Sequence, residues 1–303
     1  MILSASRRTD IPAYYSEWFL NRLKEGYVLS RNPMNHSQIS KIILSPYIID
    51  CIVFWTKDPA NMMDKFPEMN AMGYHYYFQF TITPYDREME HNLRDKSEIA
   101  NTFIQLSKAI GKDRTLWRYD PIILNEALTL DYHATMFETL CRQLCDYTNI
   151  CTISFVDLYS KLNKAVKGNI VREITKAEMI SLAEQLVKIG RTYEIEIRAC
   201  SEMIDFTNIG IQPASCIDRR TIEKVCGYSI EAKSDKNQRP GCGCIQSVDI
   251  GAYNTCRNGC VYCYANHGSN AIENNWFRHN HKADLLIGTV GADEKIILKR
   301  ESR

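Results

Sequence analysis

The stretch Cys51-Ile-Val-Phe-Trp-Thr-Lys-Asp-Pro59 shows the unit from which most of this chain is built. Its five leading apolar residues predict a buried strand, and the polar Thr-Lys-Asp-Pro run marks the end of that strand. Residues 60–72 then carry a helical pattern, which Gly73 ends. A buried strand that is closely followed by a helix predicts one βα unit of a parallel sheet.

The same unit recurs on both sides of this stretch. We predict six strands, most of them followed by a helix, at residues 2–6, 51–55, 74–82, 114–119, 151–156 and 194–200. Helices are predicted at residues 14–25, 60–72, 96–110, 130–147 and 176–193. Successive units with short connections build a parallel sheet with right-handed crossovers.

Polar or charged residues follow almost every predicted strand, and this favours one α/β architecture over another. Barrels draw catalytic groups from the C-terminal ends of many strands, whereas a doubly wound sheet concentrates them at one switch point. Six units are too few for an eight-fold barrel. We therefore predict a partial (β/α)6 TIM-like barrel over residues 1–235, with a doubly wound sheet as the alternative. Residues 236–303 are predicted to form a cysteine-rich segment and tail that pack on the barrel mouth as part of one integrated domain.

Composition limits the classes of partner. The 303 residues are 45% hydrophobic, which is typical of a globular core. A net charge of +1 gives no global attraction for nucleic acid or for an anionic membrane surface. The N-terminal residues lack the apolar core of a signal peptide, and no apolar run has the length of a membrane span. We expect a cytoplasmic protein with no membrane partner, and the charge does not favour nucleic acid.

Cysteine is abundant and unevenly distributed, with seven of the twelve residues lying from Cys216 onward. In a reducing compartment, clustered cysteines more often bind a metal or act in redox chemistry than form disulfides. The other five lie in apolar surroundings and are predicted to be buried free thiols: Cys51, Cys141, Cys145, Cys151 and Cys200.

Three cysteines near the C-terminal end, Cys256, Cys260 and Cys263, form a compact set of soft ligands. On a regular helix the first and last would lie roughly 10 Å apart, so binding one metal centre requires a loop that curls around it. Asn258-Gly259 supplies residues that tolerate positive φ. Three buried thiols on a helix face are the alternative. A four-iron cluster normally takes four cysteines, so a set of three leaves one iron open for a substrate or cofactor.

A second metal site is possible at Cys242 and Cys244, together with Cys216 or Cys226. Packed thiols in a glycine-rich turn are the alternative. Structural zinc sites usually pair two knuckles, so Cys242 and Cys244 could also combine with two of the later cysteines. A zinc- or Fe–S-stabilised, non-catalytic binding module is therefore the alternative function.

The motif Cys256-x3-Cys260-x2-Cys263, with Tyr262 before the last cysteine, resembles the cluster motif of the radical S-adenosylmethionine (SAM) superfamily. The resemblance implies a [4Fe-4S] cluster on the three cysteines, SAM bound at the open iron, and an electron donor as partner. It implies reductive cleavage of SAM to a 5′-deoxyadenosyl radical, which acts on a small-molecule or macromolecular substrate. The superfamily fold is also a partial barrel of six βα units.

The position of the motif differs from that pattern, because the superfamily carries it after the first strand and here it follows the sixth. The chain over about residues 1–266 resembles a bacterial domain-of-unknown-function family with such a C-terminal, radical-SAM-like cysteine cluster. The matching stretches are residues 6–12, 54–57, 117–121, 154–157 and 262–266. This resemblance implies no substrate.

The polar residues at the strand ends are candidate cofactor and substrate contacts, whereas no single residue is singled out as catalytic. Arg7, Arg8 and Asp10 suit a carboxylate or phosphate, although a salt bridge between Arg8 and Asp10 is the alternative. Lys57 is predicted to pair with the cofactor carboxylate or to be an exposed loop lysine.

Two further pairs complete the predicted cofactor-binding set. Arg118 and Asp120 lie on an otherwise aromatic strand, where a buried charge costs heavily unless it is paired. Asp157 and Glu202 are predicted to bind ribose hydroxyls or to cap the following helices. The tail histidines are predicted to be solvated: His267, His279 and His281.

Overall fold

The computed structural model of the chain describes residues 1–158, 162–239 and 241–299. In chain order its strands are β1 (Ile2–Ala5), β2 (Tyr27–Arg31), β3 (Gln38–Ile43), β4 (Cys51–Thr56), β5 (Tyr76–Thr81), β6 (Thr115–Ile122), β7 (Ile150–Phe155), β8 (Glu196–Cys200), β9 (Gln212–Ala214), β10 (Val248–Asp249) and β11 (Lys295–Leu298). The α-helices are α1 (Ile11–Tyr14), α2 (Ser16–Glu25), α3 (Phe66–Ala71), α4 (Lys96–Ile110), α5 (Leu130–Leu144), α6 (Asn163–Lys167), α7 (Lys176–Thr192), α8 (Arg219–Cys226) and α9 (Ser269–Phe277).

A parallel sheet of eight strands lies at the centre, in the order β10-β1-β4-β5-β6-β7-β8-β9. All six predicted strands are present, and they are neighbours in their order along the chain. This confirms the predicted α/β class and parallel sheet. The two edge strands, β9 and β10, were not predicted, because three and two residues are too short to show a periodic pattern.

The two faces of this sheet bury different parts of the chain. On β4, Ile52 and Phe54 join the large core shared with the helices. Their neighbour Val53 points the other way and packs with Ile217 and Ile222, which belong to the segment around α8. This alternation follows from the two-residue period of a strand.

Some helix boundaries match the sequence prediction and others differ from it. The pattern at residues 60–72 begins as a 3-10 helix (Ala60–Lys65) and becomes α-helical only at α3. Pro67 stands in the first turn of α3, where its missing N–H costs least. Capping boxes at Asp95 and Thr175 start α4 and α7 at the predicted positions.

The C-terminal tail contributes a strand to a second sheet. β11 pairs with β3, which pairs with β2, in a small three-stranded sheet. Leu285 and Leu286 are buried. The prediction for His279 was wrong: its ring is half-buried and its centroid lies 4.7 Å from that of Tyr15.

β10 brings the chain back beside its first strand, with Val248 in register with Leu3. The Asp249 carboxylate accepts hydrogen bonds from Ser4 Oγ at 2.7 Å and from Ser6 Oγ at 2.7 Å. A Cβ atom on Gly251 would lie 2.0 Å from Ser6 Oγ, so only glycine allows this approach. The residues after β10 therefore lie at the C-terminal end of β1. Within the described ranges, no helix combines the length and apolar character that a membrane span requires.

Candidate functional site

A cavity of about 840 Å³ opens at the C-terminal ends of the sheet strands. Its lining includes Cys256, Cys260 and Cys263, which we call the loop cysteines. Five of the six predicted cofactor-binding residues also line it: Arg8, Lys57, Arg118, Asp120 and Asp157. The sixth, Glu202, is absent from this lining. One cavity thus joins the cysteine motif to the polar strand ends.

The loop that carries these cysteines is curled, as its glycine predicted. Asn254 and Gly259 have φ values of 58° and 72°. A Cβ atom on Gly259 would lie 3.0 Å from Asn92 Nδ2. That amide donates to the carbonyl of Arg257 at 2.8 Å, and Asn92 N donates to the carbonyl of Asn258 at 3.1 Å. The glycine therefore allows the loop to close on residues 91–92.

Residues near β1 and α1 hold the loop from a second side. Tyr14 Oη donates to Asn258 Oδ1 at 2.8 Å, and Asn258 Nδ2 donates to Asp10 Oδ2 at 3.1 Å. Tyr15 Oη donates to the carbonyl of Thr255 at 2.7 Å. Asp10 also accepts from the first turn of α1, and burial raises its pKa to about 6. Asp10 therefore fixes the loop and does not face Arg8.

Glu90 is the third attachment point, and its side chain is fully buried. It accepts from Lys57 Nζ at 2.7 Å, and also from Lys96 Nζ and Tyr262 Oη. The backbone at Glu90 forms an antiparallel bridge with Cys260. Burial alone would raise the pKa of Glu90, but the two lysines outweigh it and lower this pKa to about 2.

This network changes the interpretation of Lys57. Its side chain is 13% exposed and its charge is already neutralised by Glu90. The alternative of an exposed loop lysine is therefore wrong. Sequence reasoning missed Glu90, which stands in a polar stretch between β5 and α4 without a motif to mark it.

The loop cysteines are partly buried thiols beside one another. Burial, then Asp10 and the other two thiols, raises the pKa of Cys256 well above its ordinary value. Burial likewise raises the pKa of Cys260 to about 12, although Lys57 opposes the shift. The backbone N–H of Ala265 donates to Cys263 Sγ at 3.3 Å.

Across residues 1–158, 162–239 and 241–299, no three or more His, Cys, Asp or Glu side chains already converge as a shell for one metal ion. This does not conflict with the predicted cluster, because in a four-iron cluster each cysteine binds a different iron. Three thiols on one curled loop fit such a donor set. The cluster itself stays a prediction.

Arg7 and Arg8 differ in how fully their donors are used. Arg8 Nη1 donates to the carbonyl of Gly251 at 3.3 Å and lies 3.9 Å from Asp249. The predicted alternative of a salt bridge to Asp10 is therefore not formed. Arg7 stacks over Trp55 at 5.1 Å, and its Nη2 is buried without a hydrogen-bond partner among the described residues.

Two hydroxyl groups beside the cavity are also buried and lack a hydrogen-bond partner among the described residues. Thr9 Oγ1 and Ser247 Oγ are buried without a partner in the described part of the chain, and both residues line the cavity with Arg7. Buried polar groups are normally satisfied, so unpartnered ones beside a cavity point to a ligand. No sequence signal singled out Thr9 or Ser247.

Arg118 is buried, Asp120 is partly buried, and the two are paired with each other. Arg118 Nη1 also contacts Gln79 Oε1 at 3.3 Å and Cys216 Sγ at 3.1 Å. Burial opposes its charge, but Asp120 outweighs burial and the pKa of Arg118 is raised well above its usual range.

The other predicted pair is separated. Asp157 forms an ion pair with Arg239. Glu202 accepts from the backbone N–H of Phe155 at 2.8 Å, and burial raises the pKa of Glu202 to about 7. Glu202 therefore supports the end of β7.

Four other cysteines lie across the same cavity, and we call them the seam cysteines: Cys200, Cys216, Cys242 and Cys244. The Sγ atoms of Cys200 and Cys216 are 3.2 Å apart. Cys244 interacts with Cys216 on one side and Cys242 on the other. The hydrogen bond from Cys244 lowers the pKa of Cys242 to about 6.

Of the two partners predicted for Cys242 and Cys244, the structure places only Cys216 beside them. Cys226 instead interacts with Cys51, and its thiol donates to the carbonyl of Asp50 at 3.1 Å. Cys200, predicted as an isolated buried thiol, is buried but touches Cys216. Its place among the seam cysteines could not be read from spacing, because Cys200 and Cys216 are 16 positions apart and β9 lies between them.

Comparison with known proteins places the chain in a family without assigning an activity. A sequence model of the domain of unknown function DUF1848 matches residues 2–265. No curated protein matches the chain. A crystal structure of a putative α-L-fucosidase from Bacteroides thetaiotaomicron VPI-5482 shares 10% sequence identity, and the alignment covers 61% of this chain and 74% of that one. The TM-score of that alignment is 0.27, which is too low to indicate a shared fold.

Proposed function

This chain belongs to the DUF1848 family, and we propose that it is a radical-SAM-like enzyme whose cofactor lies in the cavity at the strand ends. One observation carries the proposal: the loop cysteines share one cavity with buried polar groups that have no hydrogen-bond partner among the described residues. A volume of about 840 Å³ falls within the range of small-molecule sites.

In this proposal Cys256, Cys260 and Cys263 hold a [4Fe-4S] cluster. When bound and reduced, such a cluster supplies the electron for reductive cleavage of SAM to a 5′-deoxyadenosyl radical. The protein's part is to hold the loop. Asp10 and Glu90 attach it on two sides, and Asn92 closes its first turn.

The proposed barrel gives the loop its position despite the late place of the motif in the chain. Ile245 N donates to the carbonyl of Ile217 at 3.1 Å, so residues just after β9 meet residues just before β10. These strands are the opposite edges of the sheet, and their contact supports a sheet that curls into a partial barrel. Because β10 lies beside β1, the loop follows a strand that neighbours the first one.

Arg7 is the best placed residue for the carboxylate of the cofactor. Its Nη2 is a buried donor without a partner in the described residues, and guanidinium suits carboxylate geometry. Arg8 lies beside it with a looser contact to Asp249. Thr9 Oγ1 and Ser247 Oγ supply two further hydroxyls to the ligand.

The other residues predicted to contact the cofactor have different roles in this proposal. Lys57 positions the loop through Glu90 and does not bind the carboxylate. Asp157 lines the cavity and remains the candidate for the ribose hydroxyls. Arg118 and Asp120 hold the cavity floor as a neutral pair.

The test is anaerobic reconstitution with iron and sulfide, followed by incubation with SAM and a low-potential reductant. The wild-type protein is expected to release 5′-deoxyadenosine, and Cys260→Ala to release none above background. Cys145→Ala is the control, because Cys145 is partly buried like Cys260 but lies at the C-terminal cap of α5 and does not line the cavity. A wild-type protein that carries four irons yet neither binds nor cleaves SAM overturns the proposal.

A further inference from the structure

We propose that Cys200, Cys216, Cys242 and Cys244 form a separate metal site that binds one thiophilic ion, of which Zn²⁺ is the expected occupant. It does not depend on the reaction proposed above. Four thiolates complete the tetrahedral shell of a structural zinc site and leave no position open.

The contacts among these thiols form a ring. Cys200 touches Cys216 at 3.2 Å, Cys216 interacts with Cys244, and Cys244 with Cys242. Ser201 closes the ring, because its hydroxyl lies 3.8 Å from Cys200 Sγ and interacts with Cys242. Four thiols from three separate parts of the chain thus lie near one another in the lining of one cavity.

The spacing favours a single ion over a second cluster. In a tetrahedral site with Zn–S bonds of 2.3 Å, sulfur atoms lie about 3.8 Å apart. The Cys200–Cys216 separation of 3.2 Å needs only a small expansion to reach that value. Cysteines of a four-iron cluster bind different irons and stand further from one another. Among the described residues no three such side chains already converge on one point, so an ion would bind here only as the thiolates move outward around it.

The backbone around the ring is built for this close approach. A Cβ atom on Gly243 would lie 2.5 Å from Ser215 Oγ, so glycine between the two thiols lets the Cys-Gly-Cys segment approach the residue before Cys216 without moving that hydroxyl. The backbone N–H of Ile217 donates to Cys244 Sγ at 3.4 Å. Hydrogen bonds of this kind from outer groups fix the orientation of metal ligands.

Positively charged side chains lie near the seam cysteines and act on the charge of the proposed metal site. One divalent ion with four thiolates carries a net charge of about −2. The guanidinium of Arg118 is 3.1 Å from Cys216 Sγ, and the charge of Arg7 acts on both Cys216 and Cys244. Arg7, and in part Arg118, whose charge is shared with Asp120, offset charge that would otherwise be costly to bury.

The position of the seam cysteines between the two sheet edges indicates what a bound ion would do. Cys216 follows β9 and Cys244 precedes β10, the two edges of the sheet. An ion bound here would link these edges and fix the wall of the cavity opposite the loop cysteines.

The experiment is metal analysis of the full chain, expressed with added zinc and purified without oxygen, together with absorption spectra after Co²⁺ substitution. The background is the loop variant Cys256→Ser/Cys260→Ser/Cys263→Ser, which removes the proposed cluster ligands. We expect one zinc per chain, and the intense thiolate-to-Co²⁺ absorption of a tetrahedral sulfur site. Cys242→Ser and Cys216→Ser should each lower the affinity for Co²⁺ by 10-fold or more, whereas Cys226→Ser should leave it unchanged.

Cys242 is only partly buried, so its variant stays informative if Cys216→Ser does not fold. The proposal is overturned if the folded loop variant binds neither zinc nor cobalt, or if Cys242→Ser binds cobalt as tightly as its parent. Four irons with sulfide in the loop variant would also overturn it, since the ring would then hold a cluster.

Discussion

The loop cysteines and the seam cysteines line one cavity, yet they are assembled in opposite ways. Three thiols come from eight consecutive residues, and their loop is attached to the body by Asp10, Glu90 and Asn92. Four thiols come from three distant segments and contact one another. Three ligands leave a metal centre with an open position, and four do not. In the two proposals, ligand count and the source of support separate the reactive site from the structural one.

The largest expected effect falls on the support of the loop. Glu90→Gln leaves Lys57 and Lys96 without their shared carboxylate, and breaking a buried ion pair on one side costs about 3–5 kcal/mol. We expect the free energy of unfolding, measured in urea, to fall by that amount. Iron loading on the loop should fall with it, whereas zinc on the seam should not.

The same variant has a pH signature. Because the pKa of Glu90 is lowered to about 2 in the folded state, its stabilisation is complete above about pH 4.5 and is lost as the pH falls toward 2. Glu90→Gln should flatten that part of the stability curve. Glu68→Gln, which removes an exposed partner of Lys24, is the matched control. If stability falls at low pH in Glu90→Gln as it does in the wild-type protein, Glu90 does not support the loop.

A smaller effect is expected at the seam. When the free metal concentration is about 100 times the Kd, binding to the folded chain raises the free energy of unfolding by roughly 2.7 kcal/mol. This corresponds to about 5 °C in Tm. Chelation should therefore lower the Tm of zinc-loaded protein by about 5 °C, measured by calorimetry. The Cys242→Ser variant should begin at the lower value and not respond. If both proteins respond alike, the metal is held elsewhere and the contrast between the two cysteine sets fails.

The smallest effect concerns one hydrogen bond of the loop. Tyr14→Phe removes the bond from Tyr14 Oη to Asn258 Oδ1 and should cost about 1 kcal/mol. Tyr74→Phe removes a similar bond, to the carbonyl of Leu44, away from the cavity. Both should lower stability alike in urea, but only Tyr14→Phe should weaken SAM binding measured by calorimetry. If both variants bind SAM equally well, the hydrogen bond of Tyr14 does not contribute to the cofactor site.

The parts of this molecule that sequence reasoning predicted are those specified locally. Strand β4 is a run of apolar residues between turn signals, and the curl at Gly259 needs only one residue with positive φ. Glu90 and Asp249 were missed because their importance arises from partners far along the chain. The contact of Cys200 with Cys216 was missed for the same reason: three-dimensional approach leaves no spacing to count. Lys57 was predicted to meet the cofactor carboxylate, whereas its ammonium group pairs with Glu90, a partner that the sequence did not reveal.

The pairing of β10 with β1 also sets an order of events during synthesis. Ser4 Oγ donates to Asp249 Oδ2 across 245 residues of chain. At 5–20 residues per second, the first strand waits roughly 12–50 s for that partner to emerge from the ribosome. Until then the strand has one unpaired edge, and contacts of such high sequence separation form late. The thiols beyond β10 therefore meet their supporting residues only after nearly the whole chain has been made, which delays any metal capture until the surrounding walls are ready.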